Sequence, residues 1–479
     1  MSKRNWSGVI MILAFSLIMS ACGTKPISTV TNPSPTPSLE NIIDIESSPE
    51  PTASVDPSSS DDPKTDDAIQ VTVNPAKTIF TSGLKLGATH THYYWEKGAS
   101  AAVKNAKEIF ESFSVMNNQH IMGWGADNPW PAKDQPMNFS SLDYRMALME
   151  SLGEESMITF CQAPGWMKGE DDWSMEADVL DEYIADFAKL CAAIAQRYPE
   201  VKYFQVWNEF KGYWSSKNNR WDHERYTEMY NQVYTEVKKV RPDAKVGGFY
   251  MVICGDGSKD LFGVNGTHTQ TPLDKAQKTA INYWLENKAG ADFICIDKGI
   301  RDYHNDKFTP TSEQSIQLTS TYEKVFRDVT ELTDLPVVLS EYYGHTLLKD
   351  GEPDRTLDAA QYAGIYRNML IGSGGRDITA LLWVEKYNST SGSLFTDTDI
   401  SEGGIATKHA EVMQNISRYF AEGKTIVEAS ADSDEVIVMA SSEKIMLVNA
   451  VSSTLKIQVN NGNTIELSPF EVLFIDTIR

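Results

Sequence analysis

Two glutamates draw attention because each closes a strand-like run and leaves a carboxyl at its tip. Glu209 follows the aromatic run Tyr203–Trp207 and Asn208, and Phe210, Tyr213 and Trp214 come directly after it. Glu341 closes the run PVVLS, Pro336–Ser340. Either residue alone would read as a strand-end partner in a surface ion pair. As a matched pair they fit a specific chemistry, hydrolysis of a glycosidic bond. One carboxyl, protonated, assists the leaving oxygen; the other, ionised, attacks or stabilises the anomeric carbon. Strand position alone does not say which glutamate is the acid.

The elements that must hold this pair alternate along the chain. Short apolar runs occur at 84–89, 114–122, 156–160, 201–207, 244–249, 291–296, 336–339 and 378–383. Between them lie amphipathic stretches at 101–113, 141–152, 178–198, 224–240, 274–287, 315–332, 357–371 and 408–420. In the clearest of these, Leu180, Tyr183, Ile184, Phe187, Leu190, Cys191 and Ile194 fall at helical spacing until Pro199 stops the run. Strand followed by helix, repeated through the chain, predicts an α/β fold, a (β/α)8 TIM barrel over 84–423. A doubly wound open sheet fits less well, because LGATHTHYYW rather than a glycine-rich phosphate turn follows the first strand. Beyond Gly423 the texture turns to β-formers, with Asn461-Gly462 as a hairpin turn. This predicts a small C-terminal antiparallel, β-sandwich-like module over 424–479, with a strand in 69–83 joining it.

In such barrels the site lies at the C-terminal ends of the strands. The residues there include His90 and His92 after the first strand, Asn117, Asn118 and Gln119 after the second, and Trp166 after the third. Asp297 and Lys298 follow the sixth strand, with Tyr303 and His304 shortly beyond, and Trp383 ends the eighth. Of these, His90, His92, Asn118, Trp166, Tyr303 and His304 are the candidates for substrate contacts. His90-Thr91-His92 also matches the metal-ligand pattern of amidohydrolases. That chemistry needs a lysine on strand four, histidines after strands five and six, and an aspartate on strand eight. The chain has Asn208-Glu209, Gly247-Gly248-Phe249 and Trp383-Val384-Glu385 on strands four, five and eight. Metal-dependent hydrolysis is therefore a remote alternative, and no metal or organic cofactor is expected. Cys161, Cys191, Cys254 and Cys295 show no CxxC spacing and read as buried thiols.

VWNE ending strand four and PVVLSE ending strand seven resemble the paired signatures of clan A glycoside hydrolases, most closely those of family 39, the β-xylosidase and α-iduronidase group. APGWMKG (Ala163–Gly169), RYPEVKYFQVWNE (Arg197–Glu209) and RPDAKVGG (Arg241–Gly248) extend the resemblance, which spans nearly all of the folded chain. It implies that Glu209 is the general acid/base and Glu341 the nucleophile of a retaining mechanism. It further implies that Asn208 binds the sugar 2-hydroxyl and that Trp383 is the floor under a sugar ring. An acid in that role needs a raised pKa, and burial among aromatics would raise it. Phe210, Tyr213 and Trp214 are expected to shape the cleft and keep it dry. Three departures bear on the substrate pocket: Phe210-Lys211 replaces the proline that often follows Asn-Glu, Asn117-Asn118-Gln119 stands where many relatives carry an arginine, and the His-x-Tyr common after strand six is absent at Asp297-Lys298.

The ends and composition set the context. Lys3 and Arg4, the apolar run Val9–Met19 and Met19-Ser20-Ala21-Cys22 resemble a bacterial lipoprotein signal over 1–21, with lipidation of Cys22. Residues 22–68 are rich in Pro, Ser, Thr and acid and read as a disordered tether. The expected location is the extracellular face of a bacterial membrane, lipid-anchored, or otherwise secreted. A formal net charge of −23 argues against nucleic-acid binding. The expected partner is a plant or microbial polysaccharide or oligosaccharide, with a xylosidase-like substrate favoured. The alternative from another class is a non-catalytic carbohydrate-binding surface lipoprotein on the same fold.

Overall fold

The computed structural model describes residues 68–90, 98–122, 125–172, 174, 177–253, 273–300, 310–345, 348–349, 352–384 and 393–477. Eight strands with parallel neighbours close into a barrel. In chain order they are Gly83–His90, Met116–His120, Glu155–Phe160, Tyr203–Val206, Lys245–Val252, Phe293–Gly299, Val337–Tyr343 and Asp377–Val384. Ring closure comes from the eighth strand pairing in parallel with the first, from Asp377↔Gly83 to Val384↔His90. The chain is thus a TIM barrel, as the alternating runs predict.

Alternation of side chains along each strand fills the barrel in layers. Met116, Met157, Tyr250, Phe293, Cys295, Val338 and Leu381, drawn from six of the strands, form an inner apolar plug. Gly247 makes room for it: a Cβ there would come within 2.2 Å of the Phe293 ring. Polar side chains of the strands bond one another across the ring. Thr159 Oγ1 donates to Asn118 Oδ1 at 2.8 Å, Asn118 Nδ2 donates to Thr89 Oγ1 at 3.2 Å, and Thr89 Oγ1 donates to the Ser340 carbonyl at 2.7 Å. Ser340 Oγ in turn donates to Gln205 Oε1. These bonds tie the first, second, third, fourth and seventh strands together and fix the strand ends above them.

Most surrounding helices lie close to where periodicity places them, but the stretch expected over 178–198 begins as a 3-10 turn, Asp181–Tyr183, and is α-helical only over Ile184–Arg197. The stretch 315–332 is two helices, Ser312–Gln317 and Ser320–Leu332. A capping box between Thr311 and Gln314 starts the first one early, and the chain breaks at Leu318-Thr319.

The side sheet has seven strands, in the order Thr464–Leu467, Leu455–Val459, Ile69–Thr81, Thr425–Ala431, Val436–Ser441, Lys444–Asn449 and Val472–Asp476. Ile69–Thr81 runs antiparallel to Thr425–Ala431 and parallel to Leu455–Val459. Period-two alternation sorts its faces: on Lys444–Asn449, Met446 and Val448 join the barrel's hydrophobic core, while Ile445 and Leu447 join a separate cluster with Val71, Val73 and Ile457. The hairpin at Asn460-Asn461 has φ of 48° and 58°, the left-handed pair that a tight turn requires.

Candidate active site

Three carboxylates converge at the strand ends. Glu341 lies within the seventh strand, and its Cα partner on the sixth is Asp297, so the two side chains share a face. A register shift between Leu339 and Glu341 re-aims this segment. Glu209 lies three residues past the fourth strand. One oxygen each of Glu209, Asp297 and Glu341 lies within 4.8 Å of the others. All three are nearly removed from water, at 7%, 1% and 4% exposure, so their charges interact strongly.

The turn that presents Glu209 is strained. Trp207, Glu209 and Phe210 have φ of 73°, 47° and 59°, in the left-handed region that non-glycine residues avoid. Hydrogen bonds hold it: Trp207 N–H donates to the Phe160 carbonyl at 3.0 Å, Trp207 Nε1 to the Lys211 carbonyl at 2.8 Å, and Lys211 N–H to the Asn208 carbonyl at 3.1 Å. Packing holds it too, because Phe210 is fully buried against Tyr226 and Phe249, with ring centroids 4.5 and 4.7 Å away. This geometry explains the missing proline. Proline is locked near φ of about −65° and has no place where φ is strongly positive. It also corrects the expected role of the aromatics: Phe210 and Tyr213 belong to the core behind the turn and do not form the cleft wall.

Folding the turn back brings Lys211 onto its neighbour. The Lys211 ammonium pairs with Glu209 Oε2, both side chains buried. Burial alone would push the Glu209 carboxyl up, but the Lys211 charge and the hydrogen bonds from Asp297 and Lys211 outweigh it and hold Glu209 below its ordinary value. This is opposite to the raised pKa expected from burial among aromatics. Burial, then the Glu209 and Glu341 charges, push Asp297 well above the usual range. Burial, then the Glu209 charge, likewise raise Glu341, against the neighbouring Tyr250 and Tyr343 hydroxyls and the Lys211 charge. The Tyr343 hydroxyl donates to Glu341 Oε2. His120 Nε2 lies 3.9 Å from Glu341 Oε1, and burial drives its pKa down to about 3, so the ring is neutral there. Three carboxylates this close also suit a divalent cation in general. Here the Lys211 ammonium supplies the positive charge, and we assign no metal.

The other candidates are placed as follows. Asn208 is buried beside Glu209, and its Oδ1 has no hydrogen-bond partner among the described residues. Trp383 ends the eighth strand with its ring centroid 5.8 Å from that of His120 and 6.5 Å from that of Tyr343. Asn118 is fully buried between Thr89 and Thr159, inside the barrel wall. Trp166 is half-buried, donates from Nε1 to the Trp130 carbonyl at 2.8 Å and packs edge-on to Trp130 and Tyr183. His92, Tyr303, His304 and Cys22 lie outside the described residues, as does the side chain of His90. Cys161, Cys191 and Cys295 are buried free thiols.

Sequence reasoning missed His120, one residue past the run Asn117-Asn118-Gln119, and it missed Tyr250 and Tyr343. It registered Lys211 only as a departure, and Asp297 as a strand-end residue without a role. Strand alternation from Glu341 points to Tyr343 on the same face, a signal that was available. A groove of about 600 Å³ lined by Asp181, Asp222, Arg225 and Tyr283, among others, includes none of the three carboxylates.

No family model and no curated relative matches the sequence. Among solved structures the chain is similar to the catalytic domain of GH30 xylanase C from Talaromyces cellulolyticus, at 13% identity and TM-score 0.53, covering 85% of this chain and 100% of that one. It is similar to an endo-β1,6-glucanase at 13% identity and TM-score 0.53, covering 85% and 93%. A family 39 glycoside hydrolase from the gut symbiont Bacteroides cellulosilyticus WH2 matches at 12% identity and TM-score 0.52, covering 84% and 82%. The chain therefore has the barrel fold carried by glycoside hydrolases of families 30 and 39.

Proposed function

We propose that the protein is a retaining O-glycoside hydrolase in which Glu341 is the nucleophile and Glu209 the general acid/base. The observation that carries this reading is the spacing of the two carboxylates, whose nearest oxygens lie within 4.8 Å. Retention needs carboxyls about 5–5.5 Å apart, whereas inversion needs about 6.5–9.5 Å to admit a water between acid and base. In the first step Glu341, in the fraction of molecules that carries it ionised, attacks the anomeric carbon while the leaving oxygen takes a proton from Glu209. In the second, Glu209 accepts a proton from water, which attacks the same carbon and frees Glu341. Trp383 packs against His120 and Tyr343, the two residues at Glu341, and Asn208 has an unpartnered carbonyl oxygen next to the acid in the chain.

The substrate class we infer is a plant or microbial polysaccharide or oligosaccharide, with the family 39 resemblance favouring a xylose-containing one. The signal-like first residues support display outside the cell through Cys22. A panel of aryl glycosides and plant polysaccharides tests the activity, with Glu341→Gln as the blank. Turnover by the parent chain that the variant lacks supports the reading. Equal turnover by both contradicts it.

A further inference from the structure

The resting site presents a difficulty for the proposed reaction, on which this inference rests. Lys211 keeps Glu209 ionised, yet Glu209 must deliver a proton. The proton has to reside nearby, and Asp297 is where the geometry leaves room for it. Asp297 is 1% exposed, and neither of its oxygens meets an N–H or O–H donor among the described residues. An ionised carboxylate in that position would carry the full cost of desolvation without compensation. Its close polar neighbours include two further carboxylates, Glu209 and Glu341. A carboxyl can bond to a carboxylate only if one of the pair carries a proton and donates it.

We propose that Asp297 is a positioning residue that stores the catalytic proton and passes it to Glu209, with Lys211 as the counter-ion that keeps the proton on Asp297 at rest. Neither residue belongs to the carboxylate pair that cleaves the bond. The charges and titratable groups around Asp297 agree with this. Glu209 and Lys211 face it from the fourth strand's turn, Glu341 and Tyr343 from the seventh strand and Tyr250 from the fifth, while His120 and Cys161 stand beside Glu341 and Lys211. The raised Asp297 carboxyl and the lowered Glu209 carboxyl fit a proton held on the aspartate.

The proton count closes over the cycle. Asp297 first passes its proton to Glu209. When the glycosidic C–O bond breaks, its electron pair stays on the leaving oxygen, which takes that proton, so that Asp297 and Glu209 are both left ionised. Glu341 meanwhile forms its bond to the anomeric carbon. When water displaces Glu341, one water proton goes to Glu209 and on to Asp297. The net change is one water consumed and one glycosidic bond broken.

The experiment compares Asp297→Asn, Asp297→Glu and Lys211→Met with the parent chain, each checked for a cooperative thermal transition. The first readout is kcat/KM on two glycosides of one sugar, one with a nitrophenolate leaving group and one with an alkyl leaving group that needs protonation. Asp297→Asn is expected to lose on the order of 10²-fold on the alkyl glycoside and to stay near the parent on the nitrophenyl one. Asp297→Glu is expected to restore most of the loss. The alkaline limb of the pH profile should move down in Asp297→Asn, where Lys211 alone sets the acid, and up in Lys211→Met. Equal losses on both substrates, or limbs that do not move in opposite directions, would overturn the proposal. The second readout needs no turnover: the protonated-carboxyl infrared band of the parent at neutral pH should weaken by one carboxyl in Asp297→Asn, the part due to the raised Glu341 and Glu154 remaining. Failure of the parent chain on every glycoside would sink the glycosidase reading, and the relay with it. The stored proton itself is overturned if the infrared band is absent from the parent or undiminished in Asp297→Asn.

Discussion

Lys211 places its ammonium against the carboxylate of Glu209, two residues earlier in the chain, with both side chains buried. The contact exists because the turn between them runs through left-handed backbone at Glu209 and Phe210. A residue pair that reads in sequence as a missing proline is, in the fold, a buried ion pair at the centre of the site.

That turn depends on Phe210. Its ring packs within 5.5 Å of Tyr213 and Trp221 as well as on Tyr226 and Phe249. Phe210→Ala is expected to lower stability by about 3–5 kcal/mol, read by denaturant unfolding. Phe210→Pro should abolish activity as well, because its fixed φ reverses the turn that carries Glu209. A proline variant with parent-like turnover would contradict the backbone described.

Removing either carboxylate of the proposed pair should be severe. Glu209→Gln and Glu341→Gln are each expected to lose roughly 10²–10⁴-fold in kcat or more. Glu341→Gln should keep a thermal transition at least as high as the parent's, whereas Glu209→Gln, which strips the buried Lys211 ammonium of its counter-charge, should lower it. A pure binding protein would keep its ligand in both variants and show no turnover to lose.

The raised carboxyls make the fold sensitive to alkali. Glu341 is pushed from an ordinary 4.5 to about 8 by burial and the Glu209 charge. Its contribution to stability is fully present below the ordinary value and is lost as pH rises through the raised one. Asp297 acts in the same direction. Glu209 acts oppositely, its contribution being lost as pH falls below the usual carboxylate range. Glu341→Gln removes a buried charge, so its stability gain should be on the order of a few kcal/mol near about pH 9 and vanish near about pH 5. Thermal midpoints across that interval check it; a gain that is constant with pH would contradict it.

His120 is expected to stay neutral through the working range, since burial lowers its pKa to about 3. Its imidazole resonances should not titrate between about pH 5 and pH 8. His120→Ala should reduce kcat/KM by about 10-fold or more through loss of the edge-on contact to Trp383 and of order around Glu341. A histidine that titrates near 6.5 would place water where the structure places a dry ring.

Much of this was legible before any coordinates. Apolar runs of strand length alternating with amphipathic helices specify a parallel barrel, because each element must bury one face against the next. Glu209 and Glu341 stood out because strand ends are where such a barrel exposes chemistry. What stayed hidden depends on backbone direction. Nothing in Trp207-Asn208-Glu209-Phe210-Lys211 announces three left-handed residues, so neither the Lys211 contact nor the burial of Phe210 and Tyr213 was foreseen. His120 was passed over because its strand runs one residue beyond the polar triplet before it. Asn118 read as a pocket residue, yet its side chain spans Thr89 and Thr159 in the barrel wall. Asp297 needed the register of the sixth and seventh strands, which sets it opposite Glu341.

The central claim is a double displacement at Glu341. Proton NMR of the sugar first released from a cleaved glycoside tests it most directly, because the anomer is read before mutarotation scrambles it. The account predicts that the first-formed sugar keeps the anomeric configuration of the substrate, and that Glu341→Gln releases none. An inverted first product, or retained product from the Glu341 variant at the parent rate, would contradict it.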